Sequence, residues 1–94
     1  MITTFNKFNE SFEYIRPKTK EQLKKIIEIT ISKMGNDCSL NFIDVSLVKD
    51  MSYLFNGSEF NGDISRWDVG NVTNMSFMFG DSPLKDNPPK WYNL

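Results

Sequence analysis

The chain has 94 residues, of which 39% are hydrophobic and 14% aromatic, and its formal net charge at pH 7 is −1. A chain of this length forms one domain and buries roughly 60–65% of its unfolded surface. One cysteine and no histidine exclude a disulfide framework and disfavour a zinc site.

The N-terminal sequence MITTFNKFNE lacks the basic and then apolar segments of a secretory signal. No apolar run approaches the roughly 18 residues that a membrane span requires. We therefore expect a cytoplasmic protein that does not contact membranes. The alternative is a cell-surface protein, if the natural N-terminus is longer.

Residues 1–39 are predicted to form an N-terminal flap and a capping helix. In the flap, Phe5, Phe8 and Phe12 have a helix-like spacing that favours packing against the rest of the chain.

The capping helix is predicted over 19–34. Thr19 and Gln22 match a capping box, and Gly35 supplies a stop. Its apolar positions recur at i, i+3 and i+4, which predicts one buried face made of Leu23, Ile26, Ile27, Thr30, Ile31 and Met34.

From residue 40 the sequence repeats every 24 residues, and 40–63 (copy one) aligns without a gap on 64–87 (copy two). Each large apolar position of copy one is also apolar in copy two. The pairs are Leu40/Ile64, Ile43/Trp67, Val45/Val69, Val48/Val72, Met51/Met75, Leu54/Met78, Phe55/Phe79 and Phe60/Leu84. A partial third copy begins at Pro88. One copy cannot bury its own face, so the repeat predicts stacked units that share a core.

Within each copy, an apolar-Asp-Val segment (43–45 and 67–69) predicts a three-residue strand, and Met-x-x-Leu/Met-Phe predicts one helical turn. Together with the capping helix, this gives an α+β solenoid of two full repeats plus a partial third. We expect a single domain over 1–94, with the flap and capping helix in 1–39 and the repeats and C-terminal cap in 40–94.

The phrases FNGDISRWDVGNVTNMSFMF and DVSLVKDMSYLF resemble the BspA-like leucine-rich repeats, a bacterial surface-protein repeat of about 26 residues. The stretch PKTKEQLKKIIEITISKMGNDCSLNFIDVS resembles the helical unit that precedes such repeats. The resemblance covers roughly residues 14–92. It implies a short leucine-rich-repeat-like fold with a helical N-terminal cap.

The residues offer little for catalysis, because without histidine there is no Ser-His or Cys-His pair. We expect Cys38 to pack in the core. The carboxylate pairs Asp44/Asp68 and Asp81/Asp86 are interpreted as structural side chains that bond to turns. The prediction is therefore a non-enzyme with no cofactor and no metal.

The candidate partner-binding residues lie where the stacked repeats would face solvent. The strand face would carry aromatic, basic and acidic side chains, a mixture typical of interface hot spots; these are Phe42, Asp44, Arg66, Asp68, Lys90 and Tyr92. A second candidate is the pair Tyr53 and Phe77, which faces outward if the neighbouring Met and Phe point inward. The alternative for that pair is packing against the N-terminal flap.

The leading functional hypothesis is a small soluble protein that binds another protein and inhibits it stoichiometrically. Phage and mobile-element anti-CRISPR proteins, which block RNA-guided nucleases, are of this kind. Residues 40–94 carry four Lys/Arg against seven Asp/Glu, which favours a partner with a basic surface, such as a nuclease. A monomer is favoured over a dimer.

Two other functions are weighed. The resemblance implies a surface or adhesion module that binds host or matrix protein. Direct nucleic-acid binding through the lysine face of the helix ranks third, because the chain is acidic overall.

Overall fold

A computed structural model describes residues 15–92. In this range the helices are one α-helix, α1 (Lys20–Met34), and one short 3-10 helix (Pro83–Lys85). The β-pairing within the described range consists of three isolated parallel bridges, Ile15 with Ile43, Ser39 with Asp63, and Asp50 with Asn74. The predicted flap around Phe5, Phe8 and Phe12 lies outside the described residues.

Helix α1 begins and ends as its sequence predicts. The hydroxyl of Thr19 accepts the amide of Gln22 at 3.1 Å, and the side chain of Gln22 accepts the amide of Lys18 at 2.8 Å. Gly35, at φ 89°, donates its amide to the Ile31 carbonyl at 2.8 Å. Local capping chemistry therefore sets both ends of the helix.

The buried face of α1 is narrower than predicted. Leu23 and Ile27 are buried, whereas Ile26 and Ile31 are half-buried against the core. Met34, which was assigned to the buried face, is 69% exposed and is the last residue of α1.

The predicted fold class, an α+β solenoid of leucine-rich-repeat type, is wrong. The strands expected at 43–45 and 67–69 are not present, because residues 15–92 have turns and irregular backbone with single bridges and no sheet. Local acceptors capture the first amide of each predicted strand. The Ile43 amide donates to the Leu40 carbonyl and the Trp67 amide to the Ile64 carbonyl, each at 3.2 Å. In 43–45 the Asp44 amide reaches another segment, where it donates to the Ile15 carbonyl at 2.8 Å, and this gives a single bridge.

The described residues form instead a compact body of 38 × 27 × 21 Å, made of tight turns and one helix. Two of these turns matter for the surface described below: the first turn, 51–57 in copy one, and the second turn, 75–81 in copy two. Alternate amides of the first turn donate to carbonyls of copy two at 2.8–2.9 Å; the bonds are Met51 to Asn74, Tyr53 to Ser76, Phe55 to Met78 and Gly57 to Gly80.

The shared apolar positions of the two copies build the core, as the alignment predicts. In copy one all eight are at most 5% exposed; in copy two Val69, Val72 and Met75 are half-buried and the other five are buried. The ring of Phe55 stacks on Phe60 and Phe79, with centroids 5.1 and 5.8 Å away. Cys38 is half-buried against this cluster.

Two tryptophans occupy equivalent positions and make equivalent bonds. The indole N–H of Trp67 donates to the Leu40 carbonyl at 2.9 Å, and that of Trp91 donates to the Ile64 carbonyl at 2.8 Å. Their rings stack with centroids 6.3 Å apart. Each ring therefore fills the core and pairs a carbonyl of the preceding copy, which is how a buried Trp satisfies its N–H.

Candidate interaction surface

The most distinctive exposed feature of the described surface is a pair of stacked aromatic rings. Tyr53 of the first turn is 53% exposed and Phe77 of the second turn is 64% exposed. Their ring centroids lie 5.3 Å apart with an interplanar angle of 19°. Offset stacking at this distance is favourable, by about 0.5–1.5 kcal/mol. The pair therefore presents one continuous aromatic surface to solvent.

The backbone holds both rings outward by an unusual conformation. Tyr53 and Phe77 have φ of 60° and 54°, in the left-handed region that bulky residues rarely adopt. Two residues after each of them, Phe55 and Phe79 are 1% and 2% exposed, so each turn places one ring outside and the next ring in the core. These segments are tight turns and not the single helical turns that the sequence predicted.

Local hydrogen bonds fix the shape of each turn. In the second turn, Asn74 accepts the Ser76 amide at 2.9 Å, and Phe77 accepts the Gly80 amide at 3.2 Å through its carbonyl. The first turn repeats this arrangement 24 residues earlier, where the Asp50 carboxylate accepts the Ser52 amide and the Tyr53 carbonyl accepts the Asn56 amide. Equivalent bonds explain why the two rings leave the surface in the same direction.

Lys20, the first residue of α1, anchors the helix to the first turn. Its ammonium donates to the Ser52 carbonyl at 3.1 Å and to the Ser52 hydroxyl at 3.0 Å, and lies 3.6 Å from the Asp50 carboxylate. Ser52 is only 7% exposed. The carbonyl side of the first turn therefore already has a donor from within the chain.

Aspartates at the turn corners are engaged by serines two residues later. The hydroxyl and amide of Ser46 lower the pKa of the Asp44 carboxyl, and Arg16 lowers it further by contact at 3.1 Å. The hydroxyl and amide of Ser52 lower the pKa of Asp50 in the same way, as hydrogen bonds from Ser65 lower that of Asp63. These carboxylates shape turns.

The residues predicted on a strand face divide into two groups. Phe42, at 48% exposed, and the exposed Arg66, Asp68 and Lys90 face solvent. Asp44 is bound to Arg16 and Ser46, and Tyr92 is half-buried with its ring edge-on to Phe79 at 4.7 Å. Because the strands are absent, no sheet aligns these six side chains, whereas the structure brings Tyr53 and Phe77 into direct contact.

Some surface features lay beyond the sequence patterns. Met34 is 69% exposed, although the apolar periodicity of α1 placed it on the buried face. The left-handed backbone at Tyr53 and Phe77 has no signature in those residue types. Gly57 and Asp81 lie four residues after Tyr53 and Phe77, at equivalent positions of the two copies. Both have positive φ, and both are residue types that tolerate it, so their sequence positions indicate a turn at this point.

Within residues 15–92, no helix is long and apolar enough to cross a membrane. In the same range, no three His, Cys, Asp or Glu side chains are grouped to hold a metal ion.

Comparison with family models matches residues 22–93 to the family described as Mycoplasma protein of unknown function, DUF285. The match spans most of the chain, so the protein belongs to this family. Searches of curated proteins and of solved structures gave no match.

Proposed function

We propose that this member of the DUF285 family is a protein-binding module whose binding surface is centred on Tyr53 and Phe77. One observation carries the proposal: two stacked rings, each more than half exposed, are held outward at left-handed backbone positions. A strained conformation at an exposed site is a reason to look for function there, since the fold must compensate for it.

The chemistry of the pair suits a protein partner. Exposed aromatic rings lose contact with water when a partner covers them, and Tyr is among the residues that most often dominate binding free energy. The two rings are already stacked on each other, so binding would cost little additional side-chain entropy. Asn56 lies beside the pair, with its side-chain amide 3.5 Å from the Phe77 carbonyl, and can supply part of a polar rim.

The proposal is tested by retention of partners on immobilised protein from a Mycoplasma lysate, the genus that the family description names. The double variant Tyr53→Asn/Phe77→Asn removes both rings and leaves a residue type that tolerates left-handed φ. The matched control, Ile29→Asn/Met34→Asn, removes two exposed apolar side chains of α1.

The proposal predicts that wild type and control retain the same protein and that the ring variant loses at least about tenfold of it, as expected for a hot spot. Equal retention by all three proteins would contradict the assignment of the surface. Retention lost only in the α1 variant would move the binding surface to that helix.

A narrower form of the proposal is stoichiometric inhibition of the partner, including the case of an RNA-guided nuclease with a basic surface. The excess of Asp and Glu over Lys and Arg in 40–94 supports a basic partner. Titrating the protein into a cleavage assay tests it, since inhibition by this route saturates at a fixed molar ratio and shows no turnover.

The alternative is an adhesion module. The family is related to the BspA-like repeat proteins, and the resemblance in 40–87 points to binding of host or matrix protein. Detecting the protein at the cell surface, together with binding to immobilised matrix protein, would favour this alternative over inhibition inside the cell. Both alternatives use a protein-binding surface.

A further inference from the structure

Copy one contains two Asn-Gly pairs, Asn56-Gly57 and Asn61-Gly62, and the fold surrounds them differently. Asparagine is a chemically labile residue. It is most labile before glycine, because glycine has no side chain to obstruct attack of its backbone nitrogen on the preceding carboxamide. Both asparagines are exposed to water. The two pairs therefore have the same intrinsic chemistry, and their surroundings decide which one reacts.

The Asn56-Gly57 pair is held by contacts with copy two. The Gly57 amide donates to the Gly80 carbonyl at 2.8 Å. The Asn56 carboxamide packs against Gly80 and donates to the Phe77 carbonyl at 3.5 Å. Both reacting groups of this pair are therefore engaged, and these contacts must break before the Gly57 nitrogen can reach the Asn56 carboxamide.

The Asn61-Gly62 pair has neither restraint. Within residues 15–92, the Gly62 amide has no acceptor and the Asn61 carboxamide makes no hydrogen bond. The fold also requires glycine after Asn61, because a Cβ at position 62 would collide with the Cys38 carbonyl oxygen. The close approach of the backbone to Cys38 therefore retains the residue that makes this pair reactive.

We propose that Asn61 is a site of covalent modification, at which the Gly62 nitrogen closes a succinimide ring and the asparagine becomes aspartate or isoaspartate. In the first step, the Gly62 nitrogen bonds to the carboxamide carbon of Asn61. The bond from that carbon to the side-chain nitrogen breaks, and this nitrogen leaves as ammonia together with the amide proton of Gly62. The proposal does not depend on the protein-binding function.

In the second step, a water molecule opens the ring at one of its two carbonyls. Opening at the side-chain carbonyl gives aspartate at position 61. Opening at the backbone carbonyl gives isoaspartate, in which the main chain runs through the side-chain carbons and is longer by a methylene group. Both products replace a neutral carboxamide with a carboxylate, and they differ only in the path of the backbone.

Isoaspartate would disturb the junction between α1 and the repeats. The Asn61 amide donates to the Asn36 carbonyl at 2.8 Å, and the Asp63 amide donates to the Cys38 carbonyl at 3.3 Å. Donors two residues apart thus match acceptors two residues apart. The added methylene lies between the two donors, so it removes this match and weakens the pairing of copy one with the segment after α1.

The test is peptide mapping of the purified protein after incubation at neutral pH. Cleavage after Glu59 separates the peptide that contains Asn56 from the one that contains Asn61, and mass spectrometry then measures the conversion of each amide to an acid. A parallel sample in denaturing urea gives the two rates without the fold. Asn61→Gln and Asn56→Gln are the matched variants, since glutamine would have to close a larger ring.

We expect Asn61 to convert at least about fivefold faster than Asn56 in the folded protein, because the hydrogen bond of the Gly57 amide must first break. The two rates should be similar in urea. The acidic product seen by ion exchange should persist in Asn56→Gln and be lost in Asn61→Gln. Equal rates in the folded protein, faster conversion of Asn56, or a preference that persists in urea would each overturn the proposal.

The effect on the junction has its own readout. The isoaspartate form, purified by chromatography, should unfold at a lower urea concentration than the aspartate form, which carries the same charge on an ordinary backbone. Equal urea midpoints for the two forms would overturn the proposed loss of pairing between copy one and the segment after α1.

Discussion

At Tyr53 and Phe77, two aromatic residues occupy backbone conformations that glycine or asparagine would occupy at less cost. Left-handed φ costs a residue with a side chain about 1–2 kcal/mol, and stacking of the rings returns about 0.5–1.5 kcal/mol. Neither ring is buried, so hydrophobic transfer contributes little to their retention in the fold. The residues are therefore poor choices for stability and good choices for contact with a partner.

This balance predicts the stability of the ring variant. Tyr53→Asn/Phe77→Asn loses the stacking but relieves two strained positions, so the free energy of unfolding should stay within about 1 kcal/mol of wild type. Urea denaturation followed by tryptophan fluorescence measures it. A loss of 3 kcal/mol or more, on the order of a core truncation, would mean that the pair holds the two turns together.

A close backbone approach gives a second prediction at the residue scale. A Cβ added to Gly62 would collide with the carbonyl oxygen of Cys38, because copy one crosses the segment after α1 at that point. Gly62→Ala should therefore destabilise the fold by about 2–3 kcal/mol, as expected for overpacking against backbone that cannot yield.

The control for that variant is Gly70→Ala, whose Cβ would lie 3.2 Å from a carboxylate oxygen of Asp68 that can rotate away. It should cost much less in the same urea titration. Similar losses for the two variants would contradict the close approach of Gly62 to Cys38.

At the scale of elements, the turns depend on aspartates whose carboxylates accept nearby N–H and O–H groups. Asp44, Asp50 and Asp63 all have pKa values lowered by these bonds, chiefly from Ser46, Ser52 and Ser65. A lowered carboxyl pKa stabilises the fold at pH values above the unfolded pKa of about 3.9. That stabilisation is lost as the pH falls through the lower, folded pKa.

The free energy of unfolding should therefore fall as the pH is lowered from about 5 towards 2.5. The triple variant Asp44→Asn/Asp50→Asn/Asp63→Asn keeps an oxygen acceptor at each corner but does not titrate, so its stability should depend less on pH in this range. Chemical denaturation of both proteins across the range measures the difference. An equally steep dependence in the variant would assign the acid sensitivity to other carboxylates.

The turns also separate the parts of the fold that could be predicted from the sequence from the parts that could not. Capping residues and apolar spacing predicted α1, since those signals act locally at Thr19, Gln22 and Gly35. The 24-residue alignment predicted which side chains enter the core. The strands were wrong because the first amide of each segment, at Ile43 and Trp67, donates to a carbonyl three residues earlier, and a three-residue segment with at most one bridge does not extend into a sheet.

The candidate site was predictable only in part. The alternation of apolar positions indicated that Tyr53 and Phe77 face outward, and the structure confirms their exposure. Their mutual stacking and their left-handed backbone depend on how two turns pack across 24 residues. Neither residue type nor spacing contains that information.

At the scale of the whole molecule, the two ends of the stacked turns differ. At the copy-one side, α1 packs Leu23 and Ile27 into the core, and Lys20 donates to the Ser52 carbonyl. At the copy-two side, Trp91 and Tyr92 pack on Phe79. The account's central claim is that the exposed rings of Tyr53 and Phe77 form the binding surface for a protein partner.

The affinity of the purified partner for three versions of the protein tests that claim most directly. The account predicts that the variant Tyr53→Asn/Phe77→Asn binds the partner at least about tenfold more weakly than wild type and than the control Ile29→Asn/Met34→Asn. Equal affinity of the three proteins would contradict the claim, because it would show that the two rings lie outside the binding surface.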